Sequence, residues 1–198
     1  MPPLKHAARN SQQRQRDKLD AIPPPPVRLI MTTPVHLISF GFGSGLARHA
    51  PGTWGTLAAV PLFLLMSALS WPYYAGLCLL LFAFGCWATG ESARLLQVSD
   101  YPGFVFDEIV GFLITAAPLV YALPYLSLSV LAWLPLAFVL FRVFDILKPW
   151  PIGWLDRQVH GGLGVMLDDG LAGVMAGAVL AFAMACAGTL GRSVVAVG

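Results

Sequence analysis

Five stretches of this sequence, about residues 57–72, 73–90, 109–125, 127–141 and 171–190, contain no Asp, Glu, Lys or Arg. Uninterrupted apolar runs of this kind belong in hydrocarbon, although several fall short of the roughly 20 residues needed to span a bilayer. The expected architecture is therefore all-α: a polytopic membrane helical bundle of about five apolar segments, with four or six as alternatives. Trp71, Pro72, Tyr73 and Tyr74 separate the first two runs, and Pro124, Tyr125 and Ser127 the third and fourth. Both look like uncharged turns at an interface, the first of them lined with aromatic rings.

The rest of the composition agrees. The chain is 57% hydrophobic and only 11% charged, against about 45–50% and about 25% for a soluble domain, and its mean hydropathy is +0.72. Residues 1–33 are polar and basic, end near Pro23–Pro26 and have no apolar core, so they read as a disordered cytoplasmic tail. The membrane domain then covers 34–190, and 191–198 form a short C-terminal tail. Placing the basic tail in the cytoplasm puts 11 of the 12 Lys/Arg and all ten acids on that side, Arg192 being the exception. Polar chemistry is thereby confined to one face. Beyond the tail, bases and acids are interleaved, which does not suit a nucleic-acid partner. Cys78, Cys86 and Cys186 lie in apolar runs and read as small core residues.

Three loops on the charged face carry candidate groups. The first, residues 34–56, is read as a short interfacial helix over 34–40 followed by a structured glycine loop with Arg48, His49 and Thr53. Its backbone N–H groups could cradle a phosphate, or it could be a tight turn into a membrane helix. The second loop, 91–108, ends in Asp107 and Glu108 at the mouth of the third apolar run. Acids favour a helix's first turn, so capping is one explanation. Adjacent carboxylates at a low-dielectric boundary repel each other, however, which a cap does not require. Glu108 and Gly111 share a helical face, where the glycine would admit another helix closely.

The third loop is the densest. RVFDILKPWPIGWLDRQVHGGLGVMLDD carries Arg142, Asp145, Lys148, Asp156, Arg157, His160, Asp168 and Asp169. Arg142, Asp145 and Lys148 recur every third residue near one helical face, and Pro149 and Pro151 end that helix. The three could form an ion-pair ladder, but ionisable groups at membrane depth are functional candidates by default. Asp156, Arg157 and His160 follow in a polar connector kept open by Gly161, Gly162 and Gly164. Asp169, Gly173 and Gly177 stand four apart, giving a small-residue groove beneath Asp169. Neighbouring helical residues point about 100° apart, so Asp168 and Asp169 should do different jobs.

Five carboxylates with few histidines and no nearby cysteine suit a hard cation, Mg²⁺ or Mn²⁺. Arg142, Lys148 and Arg157 beside them suit a phosphate. Metal-ligating acids with phosphate grips at a membrane face imply phosphoryl chemistry on a lipid headgroup. The C-x5-R spacing occurs only at Cys186–Arg192, where the cysteine lies in an apolar run, and no DxDxT motif occurs, which leaves metal-assisted attack by water as the leading mechanism. A phosphotransferase of phospholipid synthesis and an ion or proton transporter are the rival classes. The first lacks its DG-x2-AR pattern here, and the second would spread acids through membrane depth.

Across about residues 33–185, GFGSGLARHAPGTWGT, FDEIVG, FRVFDILKPWPI and DRQVHGGLGVMLDDGLAG together resemble the bacterial phosphatidylglycerophosphatase A family. The resemblance implies an all-α, Mg²⁺-dependent enzyme of the bacterial inner membrane. Such an enzyme hydrolyses phosphatidylglycerophosphate to phosphatidylglycerol and inorganic phosphate. It further implies a site made of Thr53, Asp107, Glu108, Arg142, Asp145, Lys148, Asp156, His160, Asp168 and Asp169. Asp107, Glu108, Asp145 and Asp169 are the expected metal ligands. Thr53, Arg142, Lys148 and Arg157 are the expected phosphate contacts, with His160 or a carboxylate handling protons.

Overall fold

A computed structural model describes residues 25–98, 101–122 and 132–197, with side chains through residue 187. Its regular structure is helical throughout the described residues: α1 (Val27–Thr32), α2 (Pro34–Ser39), α3 (Pro51–Met66), α4 (Trp71–Leu96), α5 (Phe106–Ala122), α6 (Leu134–Leu147), α7 (Ile152–Gln158) and α8 (Gly161–Val197). A 3-10 segment, Gly41–Leu46, links α2 to α3. Each expected apolar run overlaps one of α3, α4, α5, α6 and α8. Two stretches among the described residues, Trp71–Leu96 and Gly161–Ala187, are long and apolar enough to cross a membrane, and α3 is a shorter apolar helix. The turn expected at 124–129 lies outside the described residues.

Local chemistry sets the helix ends. Prolines in the first turn open α2, α3, α4 and α6, where a missing N–H costs nothing. Gln97 (φ 56°) and Lys148 (φ 42°) close α4 and α6 in the left-handed conformation that ends many helices. The Lys148 N–H returns to the Phe144 carbonyl at 2.9 Å.

Helix α8 is the axle, packing against α4, α5, α6 and α7 through two rows of small residues. Gly162, Met166 and Gly170 face α4: a Cβ on Gly162 would strike the Cys86 carbonyl and Gly90, and one on Gly170 would press on Phe82. Asp169, Gly173 and Gly177 form the second row and face α5, as their spacing predicts. A Cβ on Gly173 would lie 2.5 Å from the Gly111 carbonyl, and one on Gly111 would lie 2.8 Å from the Asp169 carbonyl. The Thr115 hydroxyl crosses the same seam, sharing its proton between the carbonyls of Gly111 (3.0 Å) and Gly173 (3.3 Å). These contacts order α4 antiparallel, and α5 parallel, to α8.

The core below the acids is aromatic. Phe63 meets Tyr74 and Phe112 edge-on, with ring centroids 6.3 and 6.5 Å apart, and the Tyr74 hydroxyl donates to the Leu113 carbonyl at 2.7 Å. Above the acids, α2 packs on the upper part of α4, with α1 and the 3-10 segment packed on α2. There Ile30, Phe40, Ala93 and Phe104 form a second small core, and His36 Nδ1 meets the Ser92 hydroxyl at 2.7 Å.

Several sequence-level boundaries move. The 34–40 helix is present as α2, but helix α3 starts at Pro51, inside the expected glycine loop. Helix α4 runs on through Glu91 to Leu96 because Arg94 closes an i,i+3 ion pair on Glu91 at 2.6 Å. Asp156 and Arg157 lie on α7. Gly161, Gly162 and Gly164 belong to α8, where Gly162 serves close packing and does not hold a connector open. Residues 27–32, grouped with the tail on composition, form α1.

Close α5–α8 contact makes a specific prediction. Gly173→Ala forces the two backbones apart and should lower stability by about 1–3 kcal/mol, the usual cost of overpacking. Gly76→Ala, where nothing lies within 4 Å, should leave it unchanged or slightly raised. Thermal unfolding of the two variants in one detergent checks the pair.

Candidate active site

Four helix termini converge at the charged end of the bundle. The start of α3 brings Gly52 and Thr56, the start of α5 brings Asp107 and Glu108, and the end of α6 brings Arg142, Asp145 and Lys148. The third turn of α8 brings Asp168 and Asp169. Asp107 and Glu108 occupy the first turn of α5, where the helix dipole favours negative charge. Asp169 reaches them because Gly111 and Gly173 let α8 lie directly against α5.

One carboxylate oxygen from each of Asp107, Glu108 and Asp169 lies within 4.8 Å of the other two. Asp169 is 4% exposed. Glu108 Oε2 and Asp169 Oδ2 are buried and have no hydrogen-bond partner. Buried acceptors are normally satisfied, and three carboxylates this close repel one another strongly when little water screens them. An all-oxygen donor set of this kind fits a hard divalent cation, which would satisfy the bare oxygens and cancel the repulsion.

Arg142 flanks this cluster. Its Nη1 lies 2.6 Å from Asp145 Oδ2 and 3.9 Å from Glu108 Oε1, and it donates to the Thr56 hydroxyl at 3.5 Å. Thr56 in turn donates to the Gly52 carbonyl at 2.8 Å. Gly52 is required by space: a Cβ there would collide with Glu108 Oε1 and press on Arg142 Nη1. Arg142 Nε is buried without a partner, a donor left unused by the protein.

Lys148 pairs with Asp168, the neighbour of Asp169 on α8. Its left-handed backbone turns the side chain off α6, and Nζ bridges Asp156 Oδ1 (2.8 Å) and Asp168 Oδ2 (2.5 Å). Burial disfavours the ammonium, but Asp168 and Asp156 outweigh it and hold the Lys148 pKa above its ordinary value. The two adjacent aspartates of α8 thus serve different neighbours, Asp169 the carboxylate cluster and Asp168 the lysine.

The site expected from sequence is therefore partly assembled. Three of its four acidic ligands, Asp107, Glu108 and Asp169, come together, while Asp145 stands on Arg142 outside the three-oxygen cluster. Thr53 lies half-buried in the first turn of α3 with its N–H on the Ala50 carbonyl. Arg157 on α7 and His160 at the α7–α8 junction are exposed and make no ion pair among the described residues. Gly52 and Thr56 were missed by sequence reasoning. Their i,i+4 spacing within PGTWGT was a usable signal once that segment is taken as a helix.

The family profile described as phosphatidylglycerophosphatase A matches residues 37–184. Phosphatidylglycerophosphatase A of Escherichia coli (strain K12) is 43% identical over 155 residues, covering 78% of this chain and 86% of that protein. Its counterpart in Haemophilus influenzae is 41% identical over 150 residues, covering 75% and 88%. A Bacteroides thetaiotaomicron protein, provisionally described as a phosphatidylinositol-3-phosphatase, is 40% identical over 154 residues, covering 74% and 91%. No solved structure matches the chain. The matched span takes in every helix terminus that contributes to the carboxylate cluster, and the chain belongs to the phosphatidylglycerophosphatase A family.

Proposed function

We propose that this chain is a Mg²⁺-dependent lipid phosphatase that hydrolyses phosphatidylglycerophosphate to phosphatidylglycerol and inorganic phosphate. The observation that carries the reading is the close triad Asp107, Glu108 and Asp169, with bare oxygens on Glu108 and Asp169, beside Arg142 on Glu108 and Lys148 on Asp168. The names of the two phosphatidylglycerophosphatase A relatives support the choice of substrate. In this reading α3, α4, α5, α6 and α8 cross the bacterial inner membrane, and the site faces the cytoplasm.

Asp107, Glu108 and Asp169 would hold the cation, which supplies charge neutralisation at the phosphoryl oxygens and a more acidic water. Arg142 offers its unused Nε–H to the terminal phosphate, and Asp145 and Thr56 fix the guanidinium plane. Lys148, held by Asp156 and Asp168, adds a second positive group facing the same anion. Water oxygen bonds to phosphorus as the phosphorus–oxygen bond to glycerol breaks, and the departing glycerol oxygen takes up a proton. A carboxylate of the cluster, or His160 carried in from the α7–α8 junction, accepts the proton that the water loses.

Purified protein in mixed micelles should release phosphate from phosphatidylglycerophosphate with Mg²⁺ and stop when the metal is chelated. Phosphatidylinositol 3-phosphate should be turned over far more slowly. Absence of phosphate release with any divalent cation would falsify the enzymatic reading. Asp107→Asn, Glu108→Gln and Asp169→Asn should each lower kcat by about a thousandfold while the protein still folds. Asp145→Asn should mainly weaken substrate binding and leave the Mg²⁺ concentration for half-maximal activity within about threefold, since it acts through Arg142. Near-normal rates in all three triad variants would remove the metal site. Orientation is checked in a background without Cys78, Cys86 and Cys186: Tyr73→Cys should label from the periplasmic side and His160→Cys only from the cytoplasmic side.

A further inference from the structure

The 3-10 segment carries a backbone feature that the carboxylate site does not use. Three successive residues, Gly41 (φ 53°), Phe42 (φ 57°) and Gly43 (φ 97°), lie in the left-handed region. Glycine enters that region freely, whereas a bulky side chain there is an outlier. A glycine at 42 would make the same turn at lower cost, so the reason for phenylalanine lies in its ring. That ring is 65% exposed, and apolar surface left in water gains no transfer free energy. Its neighbours on α1 are exposed as well. Ile30 is fully buried, while Val27 and Met31, four apart on one flank, are 59% and 48% exposed. A Cβ on Gly43 would lie 3.6 Å from the Met31 sulfur, so the Phe42–Gly43 turn abuts the same flank.

The level of this edge in the bundle identifies what covers it. Ile30 and Phe40 pack with Ala93, in the last turn of α4. At the other end of α4, Trp71 stands edge-on to Tyr121, ring centroids 5.9 Å apart, an amphipathic pair suited to the periplasmic interface. Ala93 stands 22 residues beyond Trp71, about 33 Å along the helix axis and close to the roughly 30 Å of a hydrocarbon core. With α4 spanning the bilayer, the edge meets the cytoplasmic headgroup layer. The carboxylates lie deeper: Phe106, at the start of α5, packs against Gly85, about 12 Å nearer Trp71. Charge points the same way. Arg28, about 100° around α1 from Val27, is exposed and makes no ion pair among the described residues. Residues 1–24, just upstream, carry five Lys/Arg against two acids. An apolar edge at headgroup depth with basic charge beside it fits anionic phospholipid.

We propose that Val27, Met31 and Phe42 form an edge that dips into the anionic headgroup layer of the cytoplasmic leaflet, with Arg28 on lipid phosphates. The proposal rests on the membrane-spanning reading and goes beyond it by assigning a lipid-docking surface outside the catalytic site. Burying the Phe42 ring at the interface supplies the transfer free energy that offsets its left-handed backbone. Basic charge near an anionic surface adds attraction, which salt weakens. The docked edge also bears on the site. A Cβ on Gly41 would meet Val105 and Ile109, so the segment that carries Phe42 is packed on the residues that flank Asp107 and Glu108. Lipid that seats Phe42 thereby steadies the turn that carries the two acids.

Phe42→Cys and, separately, Leu80→Cys are made without Cys78, Cys86 and Cys186, labelled with bimane and placed one chain per nanodisc. Bimane, a small apolar ring, stands in for the phenyl group. Leu80 is 68% exposed and about 14 Å from Trp71 along α4, so its probe should be quenched most by lipid spin-labelled at the acyl terminus. The probe at 42 should instead be quenched about threefold more by lipid spin-labelled near the ester. Quenching at 80 with none at 42, or a probe at 42 reached only by aqueous iodide, overturns the proposal and leaves the spanning arrangement intact. No quenching at either position rejects the spanning arrangement and the proposal with it. Quenching at 42 that falls when two chains share a disc would assign the edge to a second copy and overturn the proposal. Arg28→Glu should lower quenching at 42 about twofold in discs containing about one-third phosphatidylserine and leave it nearly unchanged in phosphatidylcholine alone. Equal effects in the two lipids would overturn the assignment to anionic headgroups.

Discussion

Backbone contact between α5 and α8 is the interaction on which the site depends. Three small residues, Gly111, Gly173 and Gly177, bring the two helices close enough for carbonyls and Cα atoms to touch. In the membrane-spanning arrangement proposed above, hydrocarbon supplies no hydrophobic force to hold helices together, so close van der Waals packing and the Thr115 hydroxyl have to do it. The carboxylates gain their geometry from that seam. Asp169 sits one turn above Gly173 on the same face, and Glu108 sits three residues before Gly111 on its face. Closing the seam therefore drives like charges together, and packing must outweigh their repulsion.

The surrounding charges are arranged to make that tolerable. Arg142 stands against Glu108 and Asp145, and Lys148 against Asp156 and Asp168. Each base is thereby fixed mainly by an acid outside the triad, Arg142 by Asp145 and Lys148 by Asp156 and Asp168. An arginine and a lysine near the carboxylates suit a phosphate monoester carrying up to two negative charges.

Much of this was legible in the residues. Charge confined to segment ends marked the polar end of the bundle, and the Asp169–Gly173–Gly177 spacing foretold a tightly packed helix there, though not that α5 would be the partner. Less was visible where tertiary contact overrides local composition. Gly161, Gly162 and Gly164 read as an open connector because glycine disfavours helices in isolation, yet close approach to α4 rewards the absence of a Cβ at Gly162. Helix α4 outran its apolar run because Glu91 and Arg94 neutralise each other. The 41–56 segment hid a helix start behind its glycines, and with it the part played by Gly52 and Thr56. Periodicity could not decide which acids converge, since Asp145 shares a face with Arg142 and its ion pair keeps it there.

Helix lengths carry one more consequence. At 16 and 17 residues, α3 and α5 are only about 24–26 Å long, several ångströms short of a typical hydrocarbon core. A bilayer meets short helices by thinning beside them. With α3 and α5 spanning a bilayer as proposed above, such a dimple, centred where Gly52 and Glu108 meet, would draw the headgroup layer down toward the carboxylates. A lipid phosphatase so placed would not need to lift its substrate out of the leaflet, because the membrane surface itself would be lowered to the depth of the site.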